Sequence, residues 1–320
     1  MNSKSILIVA GEPNSIFLEI FFKSIKSKKF KNPLILITSE KILKKQMKKL
    51  NFKKKIKILD RNKFYNQKLN NKSINLININ FDQKKVFEKI SKKSNKFIKD
   101  CFNVAFEIIA ATKIYKLING PINKKYFLNN KFLGMTEYIS KKFLISNSCM
   151  LIYNKDLSVC PITTHIPIKS VAKTLNKKMI SDKIILINNF YKKKFGFKPK
   201  IAILGLNPHC ESIYKFNEDE KIIKPIIKIL KKKYKVSGPF SADTIFIKDI
   251  RKKFDVIVGM YHDQVLTPIK TIYGYDAINI TLGLPFLRIS PDHGPNEKML
   301  GKNLSNPQSL IQAVNFLDKN

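Results

Sequence analysis

Short apolar runs alternate with amphipathic stretches along this chain of 320 residues. The run at 5–10 (SILIVA) is apolar on both alternating faces, as a strand buried between two layers requires. GEP then marks a turn, and 16–27 resumes with apolar positions at helical spacing. The succession repeats with a strand at 33–38, a lysine-rich helix at 40–50 and a strand at 74–79. The longest predicted helix is 95–117, where Phe97, Phe102, Ala105, Ile108 and Ile109 fall on one side. Asn, Gly and Pro make 119–125 a loop. Beyond it, strands are predicted at 150–153, 157–162, 201–206, 254–260 and 277–282. Helices are predicted at 181–195, 218–233 and 307–317. This alternation predicts an α/β protein with a mixed or largely parallel sheet. No repeat or low-complexity linker divides the chain, and the boundary is placed near 123–132.

A hydrophobic content of 44% supports one large or two medium cores. The net charge of +38 comes from 61 basic against 23 acidic residues. Only Arg61, Arg251 and Arg288 are arginine; the other basic residues are lysine. Lysine-rich stretches at 41–49, 53–57, 192–194 and 231–235 are spread over the whole length. A nucleic-acid reader gathers its charge on one element, with aromatics or arginine to stack and read bases. The expectation is therefore a solvated cationic surface with weak, salt-sensitive affinity for polyanions and no specific nucleic acid. A polyanion-binding protein stands as the distant alternative to an enzyme. Cys101, Cys149, Cys160 and Cys210 form no CxxC pair, which fits a reducing compartment. The N-terminal apolar run is too short for a signal peptide, and no window reaches the ~18 apolar residues of a membrane span. A cytoplasmic protein without a membrane partner is expected.

Three of the four histidines sit in the same kind of place. His165, His209 and His262 each close an apolar, strand-like run, at 158–165, 200–209 and 255–263. In open α/β sheets, ligands bind outside the carboxyl ends of the strands. Three imidazoles on one rim would make a metal site with open positions, a Lewis acid that lowers the pKa of a bound alcohol. Spacing alone leaves that reading level with three hydrogen-bonded structural histidines. Asp243 and Asp263 are candidates to orient the metal-bound rings or to accept a proton, with helix capping as the plain role for Asp243. Segment 261–296 also holds Asp276, Asp292, Lys270, Asn279 and Arg288. An arginine kept in so lysine-rich a chain points to a planar, bidentate task, such as holding a phosphate or carboxylate. Thr136 and Glu137 stand at a loop-to-helix start, where backbone N–H groups can hold an anion and Thr136 can cap.

Together these motifs become recognisable: GPINK (120–124), GMTEY (134–138), THIP (164–167), GLNPH (205–209), GPFSADT (238–244), YHDQ (261–264), NITLGLPF (279–286) and DHG (292–294), in that order. They resemble the NAD-dependent 4-hydroxythreonine-4-phosphate dehydrogenase family of pyridoxal phosphate biosynthesis. The resemblance implies a two-domain α/β fold like isocitrate and isopropylmalate dehydrogenases, with an active-site cleft between domains. It implies a first domain over 1–128 rejoined by 295–320 on the cofactor side. A second domain over 129–294 would carry metal, substrate and the homodimer contact. It further implies that His165, His209 and His262 bind one divalent metal (zinc, magnesium or cobalt) in a site shared by two subunits. Thr136, Lys270, Asn279 and Arg288 fall on substrate-binding positions, and His293, Gly294 and Asn306 on NAD-binding ones. Met135 stands where the family usually has His; a thioether cannot donate a hydrogen bond. GEPNSIFLEI lacks the later glycines usual after GEP, so Ile16 and Phe17 are expected to crowd a ligand loop. The implied reaction is oxidation of 4-phosphooxy-L-threonine to a β-keto acid that decarboxylates to 3-amino-2-oxopropyl phosphate. A related dehydrogenase of a threonate or erythronate phosphate is the near alternative.

Overall fold

The computed structural model describes every residue except 1–3, 130, 215, 292 and 320. Its chain divides into two compact units, Met1–Lys131 with Pro285–Asn320, and Phe132–Leu284. No helix among the described residues is long and apolar enough to cross a membrane.

In unit 1 the strands are β1 (Ile6–Val9), β2 (Leu34–Thr38), β3 (Ile56–Ile58), β4 (Ile74–Asn78), β5 (Lys116–Asn119) and β12 (Leu287–Pro291). They lie side by side as β3-β4-β2-β1-β5-β12, and the pairings are parallel. Parallel strands with helices on their faces have no wet side, which is why ILIV and LILIT carry no alternation: every residue of β1 and β2 is buried. The helices are α1 (Phe17–Ser27), α2 (Glu40–Lys49), α3 (Asn95–Ala111), α4 (Lys124–Phe127) and α11 (Gln308–Asp318). Ser39 caps α2 by accepting from the Ile42 N–H. Helix α3 buries Phe97, Ile98, Cys101, Phe102, Ala105, Ile108 and Ile109, a stripe two residues wide repeating each turn. The predicted helix 95–117 ends at Ala111, and its last residues are instead the start of β5. The chain returns to this unit at Pro285 because Leu287–Pro291 pairs with β5.

Unit 2 contains β6 (Cys149–Tyr153), β7 (Ser158–Pro161), β8 (Ile201–Leu204), β9 (Val236–Phe240), β10 (Val256–Gly259) and β11 (Ile278–Leu282). Their order is β11-β6-β7-β10-β8-β9. The β11–β6–β7 side is antiparallel, and β7, β10, β8 and β9 are parallel. The helices are α5 (Met135–Lys142), α6 (Ile168–Thr174), α7 (Lys177–Phe195), α8 (Lys224–Leu230), α9 (Lys248–Arg251) and α10 (His262–Tyr273). Asn176 caps α7 at Met179, and Gly196 closes it with φ 79°. Met150, Ile152, Val159, Ala202, Leu204 and Ile257 face Val265, Leu266 and Ile269 of α10, forming a core directly beneath the strand ends that carry the histidines.

Candidate active site

Strands β7 and β10 run parallel, with Pro161 opposite Gly259. Their hydrogen bonding continues past the strand ends. The Ile162 N–H donates to the Gly259 carbonyl at 2.8 Å, and the Thr163 N–H to the Met260 carbonyl at 3.1 Å. The Thr163 hydroxyl donates to the same Met260 oxygen at 2.7 Å. The two chains therefore leave the sheet side by side. His165 and His262 follow within a few residues, their ring centroids 5.5 Å apart and tilted by 41°. Asp263 Oδ1 lies 2.6 Å from His262 Nδ1. A carboxylate there favours the tautomer protonated on Nδ1, which leaves the Nε2 lone pair for a ligand.

Strand β8 flanks β10 on its other side, and His209 stands beyond its end in the turn Pro208–Cys210. His209 and Cys210 both take left-handed backbone, with φ of 56° and 61°. Consecutive non-glycine residues there cost on the order of 1 kcal/mol or more each, so the surroundings must hold them. Fully buried Asp219 does part of this. It accepts from the Leu206 N–H at 2.8 Å, the Asn207 N–H at 3.0 Å and the Asn207 side chain at 2.9 Å. Gln264 ties the two rims: it accepts from the Met260 N–H at 2.6 Å and donates to the Gly205 carbonyl at 2.8 Å. All three histidines thus leave the carboxyl ends of neighbouring parallel strands, and the rings of His165 and His262 meet. Among the described residues, no three His, Cys, Asp or Glu side chains of this one chain come together as a metal-holding group. Two imidazoles, one oriented by a carboxylate, are a donor pair that fits zinc or cobalt and leaves the remaining positions to be filled from elsewhere.

Thr136 is the second residue of α5; Gly134, not Thr136, occupies the cap. Its hydroxyl lies 3.4 Å from that of Thr281. Thr281 and Asn279 alternate along β11 and so share a face. Asn279 Oδ1 is buried and accepts no hydrogen bond within the described chain, an acceptor available to a ligand donor. Met135 begins α5 and is buried. Lys270 is exposed in the last turn of α10, ~12 Å along the helix from His262 by its rise per residue, so one chain does not bring it to the histidine pair. Asp243 is exposed on the turn after β9 and caps no helix, because α9 starts only at Lys248.

Arg288 belongs to unit 1. It lies on β12, 2% exposed, and its Nε donates to Asn119 Oδ1 at 2.7 Å at the end of β5. His293 stacks on Phe17, with centroids 6.0 Å apart and planes at 30°, and its Nδ1 is 3.2 Å from the Gly294 carbonyl. The Ile16 N–H donates to the Pro295 carbonyl at 3.1 Å, so this loop is tied to the start of α1. Phe17 begins α1, and both it and Ile16 are buried. Phe17 fills the space above Gly120, where a Cβ would stand 2.7 Å from its ring. Gly294 is exposed, with open space beside its Cα. A half-buried imidazole on an aromatic support beside a bare peptide suits the flat base of a dinucleotide. Asn306 precedes Pro307, the cap of α11, and its Oδ1 accepts from the Gln308 N–H at 2.8 Å. Asp292 lies outside the described residues. At the end of β1, Gly11 has φ 77°, and a Cβ there would strike the Pro121 carbonyl at 2.3 Å. Next to it, buried Glu12 accepts from the Asn14 N–H at 3.1 Å and the Ser94 hydroxyl at 2.9 Å. Burial raises the pKa of its carboxyl above the ordinary 4.5, and those hydrogen bonds pull it back only in part.

Glu12, Asp219 and Thr281 are not singled out by the sequence. The available signals are weak: an acid after a strand-ending glycine, an acid at the head of an apolar helix, and a hydroxyl two residues from Asn279 in an otherwise apolar strand.

The model of the family described as pyridoxal phosphate biosynthetic protein PdxA matches residues 29–317. The 4-hydroxythreonine-4-phosphate dehydrogenase of Sulfurihydrogenibium sp. (strain YO3AOP1) is 38% identical over 315 residues, covering 97% of this chain and 96% of the relative. The crystal structure of 4-hydroxythreonine-4-phosphate dehydrogenase from Klebsiella pneumoniae is similar at a TM-score of 0.84 and 25% identity, over 98% of this chain and 96% of that one. Isocitrate dehydrogenase from Methylococcus capsulatus shares the fold alone, with a TM-score of 0.50 and 10% identity over 97% of this chain and 83% of that one.

Proposed function

This chain belongs to the pyridoxal phosphate biosynthetic protein PdxA family, and on that premise we propose that it oxidises 4-phosphooxy-L-threonine with NAD. The carbinol at C3 loses a hydride and its hydroxyl proton to give a β-keto acid. The C1–C2 bond then breaks, carbon dioxide leaves, and C2 takes a proton to give 3-amino-2-oxopropyl phosphate. When bound, NAD takes the hydride and a divalent ion (zinc, magnesium or cobalt) acidifies the hydroxyl.

The observation that carries this reading is the His165–His262 pair, 5.5 Å apart on strands tied past their ends. These two rings, with His209, hold the metal. Asp263 fixes the tautomer of His262, which favours it as an orienting group over Asp243 as the proton acceptor. Lys270 and Arg288 neutralise the phosphate and carboxylate charges, while Thr136 and Asn279 orient the substrate beside Met135. His293, Gly294 and Asn306 lie along the NAD. A second copy of the chain completes the site, supplying the ligands that one copy does not bring to the pair. Unit 2 exposes large apolar side chains that a homodimer would cover, with Ile213 at 98%, Leu144 at 92% and Tyr214 at 76% exposure.

The test is NADH formation by purified protein on the phosphorylated hydroxythreonine and on threonate and erythronate phosphates, with bound metal measured in parallel. Turnover of the amino acid phosphate, and joint loss of metal and NADH formation in His209→Ala, are expected. Turnover of the sugar-acid phosphates alone would overturn the biosynthetic reading.

A further inference from the structure

Glu137 is the third residue of α5, where a glutamate ordinarily reaches back to the N–H of the capping residue. It does not do so here. Its Oε2 is buried and makes no hydrogen bond. Its Oε1 accepts from the Thr164 hydroxyl at 3.3 Å, which ties α5 to the residue preceding His165. A Cβ built on Gly134 would lie 2.9 Å from Glu137 Oε2 and 3.2 Å from both Nδ1 and Cε1 of His165. The buried carboxylate oxygen and the Nδ1–Cε1 edge of the imidazole thus both lie within 3.2 Å of one point.

We propose that Glu137 is the positioning carboxylate of His165, matching what Asp263 is to His262. A ligating histidine is held in its tautomer and orientation when its other nitrogen faces a carboxylate. His262 has that arrangement at 2.6 Å. Glu137 Oε2 lies near the Nδ1–Cε1 edge of His165, the side of the ring that Asp263 takes at His262. The buried Oε2 explains its own position: an unpaired carboxylate oxygen is costly to bury. A proton donated from the His165 ring to that oxygen would offset the cost. A methyl group at position 134 would press on both side chains, 2.9 Å from Oε2 and 3.2 Å from the ring.

The inference rests on the reading of His165 and His262 as metal ligands, and its test separates the two. Zinc and cobalt(II) affinity would be measured by calorimetry, and the cobalt absorption bands recorded, for wild type, Glu137→Gln, His165→Ala and His262→Ala. The tautomer of His165 would be read from nitrogen-15 shifts of the metal-free protein. Glu137→Gln is expected to weaken metal binding by about 10- to 100-fold, to shift the cobalt bands and to turn a single His165 tautomer into a mixture. The melting temperature of its metal-free form should stay close to wild type, and Thr164→Val should have a smaller effect in the same direction. Wild-type tautomer and metal affinity in Glu137→Gln, beside a His165→Ala that binds no metal, would overturn the role of Glu137 alone. Undiminished binding in both histidine variants would overturn the metal reading, while the tautomer shift would still decide whether Glu137 governs His165.

Discussion

Arg288 and Asn119 show how much one buried polar contact can carry. The guanidinium is 2% exposed, and the amide oxygen 2.7 Å from its Nε satisfies one of its donors. Removing that acceptor in Asn119→Ala should cost about 1–3 kcal/mol of stability, readable by denaturant unfolding. Glu12 makes a second prediction with a definite sign. Its carboxyl pKa is raised by burial, so the folded state prefers the proton. Any stability gained this way is present below the ordinary 4.5 and is lost as pH rises through the higher folded value. Melting curves should therefore show wild type losing ground to Glu12→Gln between acid and neutral pH; a difference independent of pH would contradict the assignment. Arg288 was legible in the sequence because arginine is rare in this chain. Glu137 and Asp219 were not singled out for a role, because an acidic residue type says nothing about which loop or ring lies across the fold from it.

At the level of elements, buried parallel strands were easy to read, since VIVG and ILIV have no polar face to confuse with a helix. The error at 95–117 arose where that advantage failed. Ile114, Leu117 and Ile118 continue a helical spacing, and a four-residue strand contributes too few positions to show a different period. β9, with Gly and Pro in VSGPF, and the three-residue β3 carry still less signal. Helix α1 illustrates a departure that packing absorbs. Phe17, fully buried, both fills the space over Gly120 and supports His293. Phe17→Ala should cost about 3–5 kcal/mol through the cavity it leaves. It should also raise KM for NAD more than it lowers kcat, because the loop at 293–295 loses its support. Equal effects on both parameters would argue that the ring matters only for stability.

For the whole molecule, charge and assembly are the readable quantities. The +38 charge predicts that duplex DNA is retained at low salt and released by about 0.2 M salt, without sequence preference. Retention above that concentration would revive the polyanion-binding alternative. Light scattering of the purified protein should give twice the chain mass of 37.0 kDa, and Ile213→Asp should shift it toward the single chain with loss of metal. In the local pattern the division into two units shows only as a loop-rich stretch near 123–132; the return of the C-terminal segment was implied by the family resemblance alone. The return of the chain at Pro285 depends on a β5–β12 pairing between residues about 170 positions apart, which no local pattern reports.

The bonds from Ile162 and Thr163 to the chain beyond β10 carry a consequence for selectivity. The lateral repeat of a sheet, ~4.8 Å between adjacent strands, brings the two chains out side by side, and the imidazoles that follow lie 5.5 Å apart. A gauge built into the backbone does not stretch to accommodate whatever arrives. Where the two rings hold the proposed ion, a spacing set this way would disfavour ions of the wrong radius, and sequence drift in the surrounding surface could proceed without altering the calibration.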